Sequence, residues 1–294
     1  MKALETALFW LVTLGALGFF ARTIRLRIAT LKAGVPDNRS DQPWERLKGV
    51  FVLALGQKRM VRDPYAGLYH ILIFWGFCVL GLRSIGLVVE GLFPGFLLVE
   101  SLGSFGLGYQ ATKDVFEVLV LVGLALAAIR RVAAKPWRLE NSWDAWATLS
   151  LIGGLMLTDL VADGAQIASL TVQPHWVAYS PAGKAVAGLL AGLSPFAKVA
   201  LYKTMWWLHL GLLYFFANFL PYSKHFHVFT SLFNIYFREL NPQKNIKPMD
   251  FEGEAEHFGI NKIQDFSWKQ MLDFYTCVEC GRCLENCPTT LTGK

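Results

Sequence analysis

Long apolar runs separated by short basic segments dominate the chain, and helix-start residues mark where two of the runs begin. The first run, Ala7 to Phe20, is followed by Arg22, Arg25, Arg27 and Lys32 and has no small-residue cleavage site. That pattern predicts a retained membrane helix with its amino terminus outside. The apolar piece Gly49 to Gly56 is too brief to span and is expected at the inner interface. Asp63-Pro64 opens a second span, about Tyr65 to Leu92, because proline is tolerated in a first helical turn. Residues 93 to 112 are glycine-rich and nearly uncharged, which reads as an external loop. The third span, about Asp114 to Ile129, returns inside at Arg130, Arg131, Lys135 and Arg138. Asn141-Ser142 is a capping-type pair ahead of a fourth span to about Val161, with Asp159 and Asp163 at its outer end. After a long external loop to Lys198, the stretch Leu201 to Phe237 reads as one long inward-running helix.

The expectation is therefore an all-α membrane protein, a five-helix transmembrane bundle with amino terminus out and carboxyl terminus in, followed by the start of an α-helical ferredoxin-type domain. Residues 1 to 237 form the membrane domain, 238 to 258 a polar linker and 259 to 294 the iron-sulfur segment on the cytoplasmic side of the inner membrane. No internal repeat is evident.

Composition supports this picture. At 294 residues and 54% hydrophobic, with a mean hydropathy of +0.37, the chain is too apolar for an ordinary soluble domain. Its net charge of +6 does not indicate a nucleic-acid surface, since 22 of the 28 Lys and Arg fall in the inner segments: 10 in 21 to 63, 4 in 130 to 138, 8 after 222. Lipid, not nucleic acid, is the partner that this distribution implies.

Of five cysteines, four are packed as Cys277-x2-Cys280-x2-Cys283-x3-Cys287-Pro288. That is the ferredoxin-type run for a 4Fe-4S cluster, in which soft thiolates at close spacing wrap one cubane. A zinc knuckle or inert thiols are the competing readings. In two-cluster ferredoxins the fourth cysteine serves the other cluster, so the expectation is that Lys294 is a truncation point with a second run beyond it; the alternative is one cluster held by all four. Cys78 reads as a small buried hydrophobe.

Ionisable groups in membrane helices are functional hypotheses by default. His209 and His227 are eighteen residues apart, which on one continuous helix is five turns, so both would leave the same face about 27 Å apart. His225 would point nearly opposite. Two imidazoles from facing helices suit the axial positions of a b-type haem. His70, at the inner end of the second span, matches His227 in depth, so these two are the expected pair. His209 lacks a depth-matched histidine, because Leu80 and Arg83 occupy that region of the second span. Arg83 is left to pair either with Asp159 or with a haem propionate. His175 and His257 read as solvated side chains, although His175 is a distant option for a second haem. Quinone-site candidates are Gln57, Lys58 and Arg59 on the inner side, or Lys203 and Asp159 on the outer.

The fifth stretch, with Leu208-His209-Leu210, Leu220-Pro221-Tyr222-Ser223-Lys224 and His227, resembles the last helix of the nitrate reductase gamma subunit family, as does Leu68-Tyr69-His70-Ile71 in the second span. That resemblance implies five spans, an inner haem b on His70 and His227, and His209 on one side of an outer haem whose other ligand would fall at Leu80. Residues from about Gly259 resemble the start of a heterodisulfide-reductase-type iron-sulfur domain. Fusions of the two imply a membrane oxidoreductase passing electrons between a cytoplasmic partner, such as electron-transfer flavoprotein or a reductase subunit, 4Fe-4S, haem b, and menaquinone or another quinone. Two rival readings remain open: a membrane-anchor cytochrome b of a terminal reductase, and a non-redox membrane protein with a zinc-binding tail.

Overall fold

The computed structural model describes residues 3–93, 95–96, 101–172, 174–241 and 259–293. Every regular element among them is helical, and a single isolated parallel bridge joins Val35 to Ser267. The main helices are α1 (Ala3–Lys32), α2 (Pro43–Gly49), α3 (Pro64–Leu92), α4 (Gly103–Ile129), α5 (Trp143–Ala168), α6 (Pro181–Leu189), α7 (Pro195–Phe219), α8 (His227–Tyr236) and α9 (Trp268–Thr276). Three of them, α1, α3 and α5, are long and apolar enough to cross a membrane. The expected five spans are thus three by composition. In α4 every stretch of 18 residues contains Lys113, Asp114 and Glu117.

Two expectations about helix limits are corrected. Residues 103 to 112, read as an external loop, are the first turns of α4. Glycines cost up to about 1 kcal/mol each in a helix interior, but here tertiary anchors outweigh that: Tyr109 Oη donates to Val79 O at 3.1 Å, and Gln110 Nε2 donates to Ser180 Oγ at 2.8 Å. The fifth stretch is not one helix. It stops at Phe219, passes through tight turns at Leu220–Tyr222 and Lys224–Phe226, and restarts as α8. Pro221 cannot donate to the preceding turn and its ring opposes continuation. Ser223 then turns extended (φ −108°, ψ 162°), its hydroxyl accepting from His225 N at 3.0 Å. The five-turn register between His209 and His227 is therefore lost.

The chain divides into two compact units. The first comprises residues 1–18, 63–137 and 141–218. Asp63 caps α3 by accepting from Ala66 N at 3.2 Å and also pairs with Arg130 at 2.7 Å, so the predicted start at Asp63-Pro64 holds. Helix α3 packs along α4 where Gly76 meets the Val120 side chain, a spot a Cβ would fill. Phe9, Leu87, Leu210 and Tyr214 form a buried apolar cluster, with Thr13 and Tyr214 hydroxyls bonded at 2.8 Å. Cys78 is exposed beside Phe77 on the outward face of α3, so it is not the buried hydrophobe expected.

The second unit comprises residues 19–62, 138–140 and 219–294. Here the cysteine segment packs on the basic stretch after α1. Val35 N donates to Phe266 O at 2.9 Å, Trp268 N returns a bond to Val35 O at 3.1 Å, and Trp268 Nε1 donates to Asp37 O at 2.7 Å. Arg46 is buried and all three of its guanidinium nitrogens donate, to Asp41, to Tyr236 O at 3.0 Å and to Arg238 O at 2.7 Å. Its hydrogen bond, followed by its charge, holds the Asp41 carboxyl below the usual range.

Candidate functional site: a cysteine run and a buried charge network

Helix α9 leads into the cysteine run. Ser267 and Gln270 cap it reciprocally, the Ser267 hydroxyl accepting from Gln270 N and the Gln270 side chain from Ser267 N at 2.9 Å. Its inner face is buried at Met271 and Leu272, and Cys277 ends it. The loop beyond turns through two left-handed residues, Glu279 (φ 53°) and Gly281 (φ 70°). At Gly281 a Cβ would collide with Arg138 O, so both the backbone conformation and the space require glycine. The loop is clamped from outside: Arg138 donates to Cys280 O at 2.8 Å and pairs with Glu285 at 2.7 Å, and Lys224 pairs with Glu279 at 3.2 Å. All four thiols are free, Cys277 and Cys283 exposed, Cys280 and Cys287 half-buried.

Cys287 Sγ lies 2.8 Å from Thr289 Oγ1. That hydroxyl, followed by the backbone amides of Thr290 and Thr289, lowers its thiol from the ordinary value of 9.0 to about 7. Stabilising the thiolate makes it reactive at lower pH. In iron-depleted protein, iodoacetamide labelling of Cys287 is accordingly expected to rise through about pH 7, and Thr289→Ala to move that rise upward. Peptide mapping of the labelled site measures it; a midpoint near 9.0 in the parent chain contradicts it.

The histidines divide between the units, His70 and His209 in the first and His227 in the second. His70 stacks on Phe74 with ring centroids 6.5 Å apart, and His227 lies 6.0 Å from the His225 ring. His209 is buried, its Nδ1 3.1 Å from Leu155 O and 3.0 Å from Thr158 Oγ1. A carbonyl only accepts, so Nδ1 carries the proton and Nε2 is the basic nitrogen. Leu80 is buried and offers no ligand. His175 is in a single turn, Pro174–Val177; His257 lies outside the described residues.

The first unit also contains a group of charges whose extent the sequence did not reveal. Lys113 Nζ sits 2.9 Å from Glu117 Oε1, 3.0 Å from Asp159 Oδ2 and 2.9 Å from Asp163 Oδ2. Arg83 pairs with Asp159 at 3.3 Å, one of the two partners expected for it, and with Glu90 at 3.2 Å. Asp114 accepts from the amides of Ala182 and Gly183 at 2.7 and 2.9 Å, at the amino end of α6. Lys113 and Glu117 are spaced i, i+4, as are Asp159 and Asp163, and those two spacings are the local signals of this group. Among the quinone candidates, Gln57 is buried with φ 49° while Lys203 is exposed and paired with Glu5 at 3.0 Å.

Fold and site together describe a helical membrane protein with a ferredoxin-type cysteine run. Over 289 residues, 98% of its length, the chain is 34% identical to the probable iron-sulfur-binding oxidoreductase FadF of Bacillus subtilis, of which it covers 40%. It is 35% identical over 266 residues, 87% of its length, to the EtfAB:quinone oxidoreductase of Syntrophomonas wolfei, covering 37% of that protein. A stretch of 49 residues, 17% of the chain, is 39% identical to 7% of a probable membrane-anchored ferredoxin of Chromohalobacter salexigens. The chain thus spans about two fifths of the length of the first two relatives. No family model and no solved structure matches it. These relatives support an iron-sulfur oxidoreductase with an electron-transfer role.

Proposed function

We propose that the chain is an electron-transfer segment of a quinone-linked membrane oxidoreductase. Cys277, Cys280, Cys283 and Cys287 hold a 4Fe-4S cluster, and electrons pass between a cytoplasmic partner of the electron-transfer flavoprotein type and quinone in the inner membrane. The observation that carries this reading is the clamped cysteine run, Cys277-x2-Cys280-x2-Cys283-x3-Cys287, with no disulfide among its thiols and a left-handed turn at Glu279 and Gly281; soft thiolates at that spacing suit iron-sulfur. The two longer relatives, one a probable iron-sulfur-binding oxidoreductase and one an EtfAB:quinone oxidoreductase, support it. The cluster, when bound, supplies one-electron storage; the chain supplies its ligands and position.

A b-type haem on His70 and His227 is part of the same proposal. His209 fits an axial role as well, because a ring whose Nδ1–H is fixed on a carbonyl presents Nε2 in a defined direction. Helices α4 and α7, about 40 and 37 Å long at 1.5 Å per residue, join α1, α3 and α5 as spans, with the amino terminus outside and the iron-sulfur segment in the cytoplasm.

Metal and haem analysis of the purified full chain tests this reading. Expected are iron with acid-labile sulfide, and one haem per chain that is lost in His70→Ala and retained in His209→Ala. Zinc in place of iron would overturn the cluster, and a sample without reduced b-type bands would overturn the haem. A ratio of two haems that falls in His209→Ala would replace the single-haem assignment.

A further inference from the structure

The two ion pairs that clamp the cysteine loop are built alike. In each the cation is buried and the acid is open to water: the side chain of Arg138 is 9% exposed against 41% for Glu285, and that of Lys224 is 10% exposed against 55% for Glu279. Arg138 Nε lies 2.7 Å from Glu285 Oε1 and its Nη1 donates to Cys280 O at 2.8 Å, so the guanidinium is held against the backbone of a cysteine of the run. Lys224 Nζ lies 3.2 Å from Glu279 Oε2, on the residue just before Cys280. A third cation, Arg282, donates to Arg59 O at 3.3 Å. All of these residues belong to the second unit.

Water and salt screen an exposed charge far more than a buried one. Glu285 and Glu279 therefore lose more of their field than Arg138 and Lys224 do, and the loop is left with a net positive field although each pair is formally neutral. Arg138 is also fixed from two sides. Its backbone carbonyl stands against Gly281, where a Cβ would collide with it, while its side chain bridges Cys280 O and Glu285. Burying a cation is costly, and a pair with an exposed acid offsets little of that cost. A negatively charged group held by the loop adds the missing compensation.

We propose that Arg138 is a positioning residue that holds the Cys280–Glu285 loop and, through its charge, biases the 4Fe-4S centre toward the reduced form. This rests on the cluster assignment made above. Four thiolates give such a centre a net negative charge, and one electron taken from its donor makes it more negative, with no bond to the chain made or broken. A fixed cation beside the loop stabilises the reduced form more than the oxidised form, so it raises the reduction potential. Arg138 acts by charge and by holding the backbone, since its hydrogen bond goes to Cys280 O and not to a sulfur.

Redox titration of the full chain, followed by the low-temperature paramagnetic signal of the reduced centre, reads the potential without depending on activity. Arg138→Gln is expected to lower the reduced-to-oxidised ratio at a fixed applied potential roughly tenfold, which is about 59 mV for one electron. Arg138→Lys keeps the charge and stays close to wild type. Glu285→Gln leaves the Arg138 charge without its acid and shifts the ratio the other way. Opposite signs are what a charge produces, whereas loss of the clamp alone would move both variants alike. If Arg138→Gln does not keep its centre, the sign of Glu285→Gln decides. An unmoved potential in Arg138→Gln, an equal fall in Arg138→Lys, or anything but a rise in Glu285→Gln would overturn the proposal. Iron and sulfide content, measured first, separates the two levels: wild type without an iron-sulfur centre overturns the functional reading and this inference with it, while a centre whose potential ignores Arg138 overturns this inference alone.

Discussion

Replacing Lys113 by methionine is expected to destabilise the first unit by roughly 3–5 kcal/mol, the usual cost of removing one partner from a buried ion pair and leaving the other uncompensated. Three carboxylates lose their shared counter-ion at once: Glu117 Oε1 at 2.9 Å, Asp159 Oδ2 at 3.0 Å and Asp163 Oδ2 at 2.9 Å. Arg83 reaches Asp159 and Glu90 and does not replace it. The shape loss is small by comparison, because methionine fills most of the lysine stem. Thermal unfolding in detergent measures the effect, and the double variant Lys113→Met with Glu117→Gln discriminates its cause. If electrostatics dominate, the second substitution recovers part of the loss, since groups in contact couple by about 0.5–3 kcal/mol. Strict additivity would assign the loss to packing and rule out uncompensated charge as its cause.

On the function proposed above, Cys277→Ser with Cys280→Ser is expected to abolish the 4Fe-4S centre and bring flavoprotein-dependent quinone reduction to background. Serine keeps the volume of cysteine but replaces a soft thiolate by a hydroxyl that binds iron-sulfur poorly. The outer clamp on this loop, Arg138 with Cys280 O and Glu285, uses a backbone carbonyl and a different side chain, so it survives the substitution. Iron and sulfide content, the low-temperature paramagnetic signal of the reduced centre, and turnover are measured together. A variant that keeps full iron and activity would show that the run is not the electron entry point. A variant that loses iron yet keeps haem reduction by dithionite would show that the proposed haem does not depend on the cluster.

Much of this was legible along the chain, because it rests on local chemistry. Apolar runs of sufficient length announce α1, α3 and α5. Asp63-Pro64 announces the start of α3. Pairing of Arg83 with Asp159 was one of two options and is present. Two things that local patterns miss are the first turns of α4 and the break at Pro221. Glycines at 103, 106 and 108 look like a loop until Tyr109 and Gln110 find partners thirty and seventy residues away. Likewise, the apolar residues resume at Phe226 after Pro221, so Leu201 to Phe237 reads as one helix although its backbone hydrogen bonds do not continue. The docking of the cysteine segment on residues 33 to 39 has no signal in either stretch of sequence, since a single bridge and one indole hydrogen bond carry it.

By itself, then, the sequence determined the membrane character and the helical class, because apolar length and helix punctuation act over a few turns of chain. Only the tertiary structure decided which charges meet. Lys113 and Glu117 are neighbours on α4, but Asp159 and Asp163 come from α5, Arg83 and Glu90 from α3, and the amides that hold Asp114 from α6. Coulomb energy depends on distance and on exclusion of water, and neither exists until those four helices are packed.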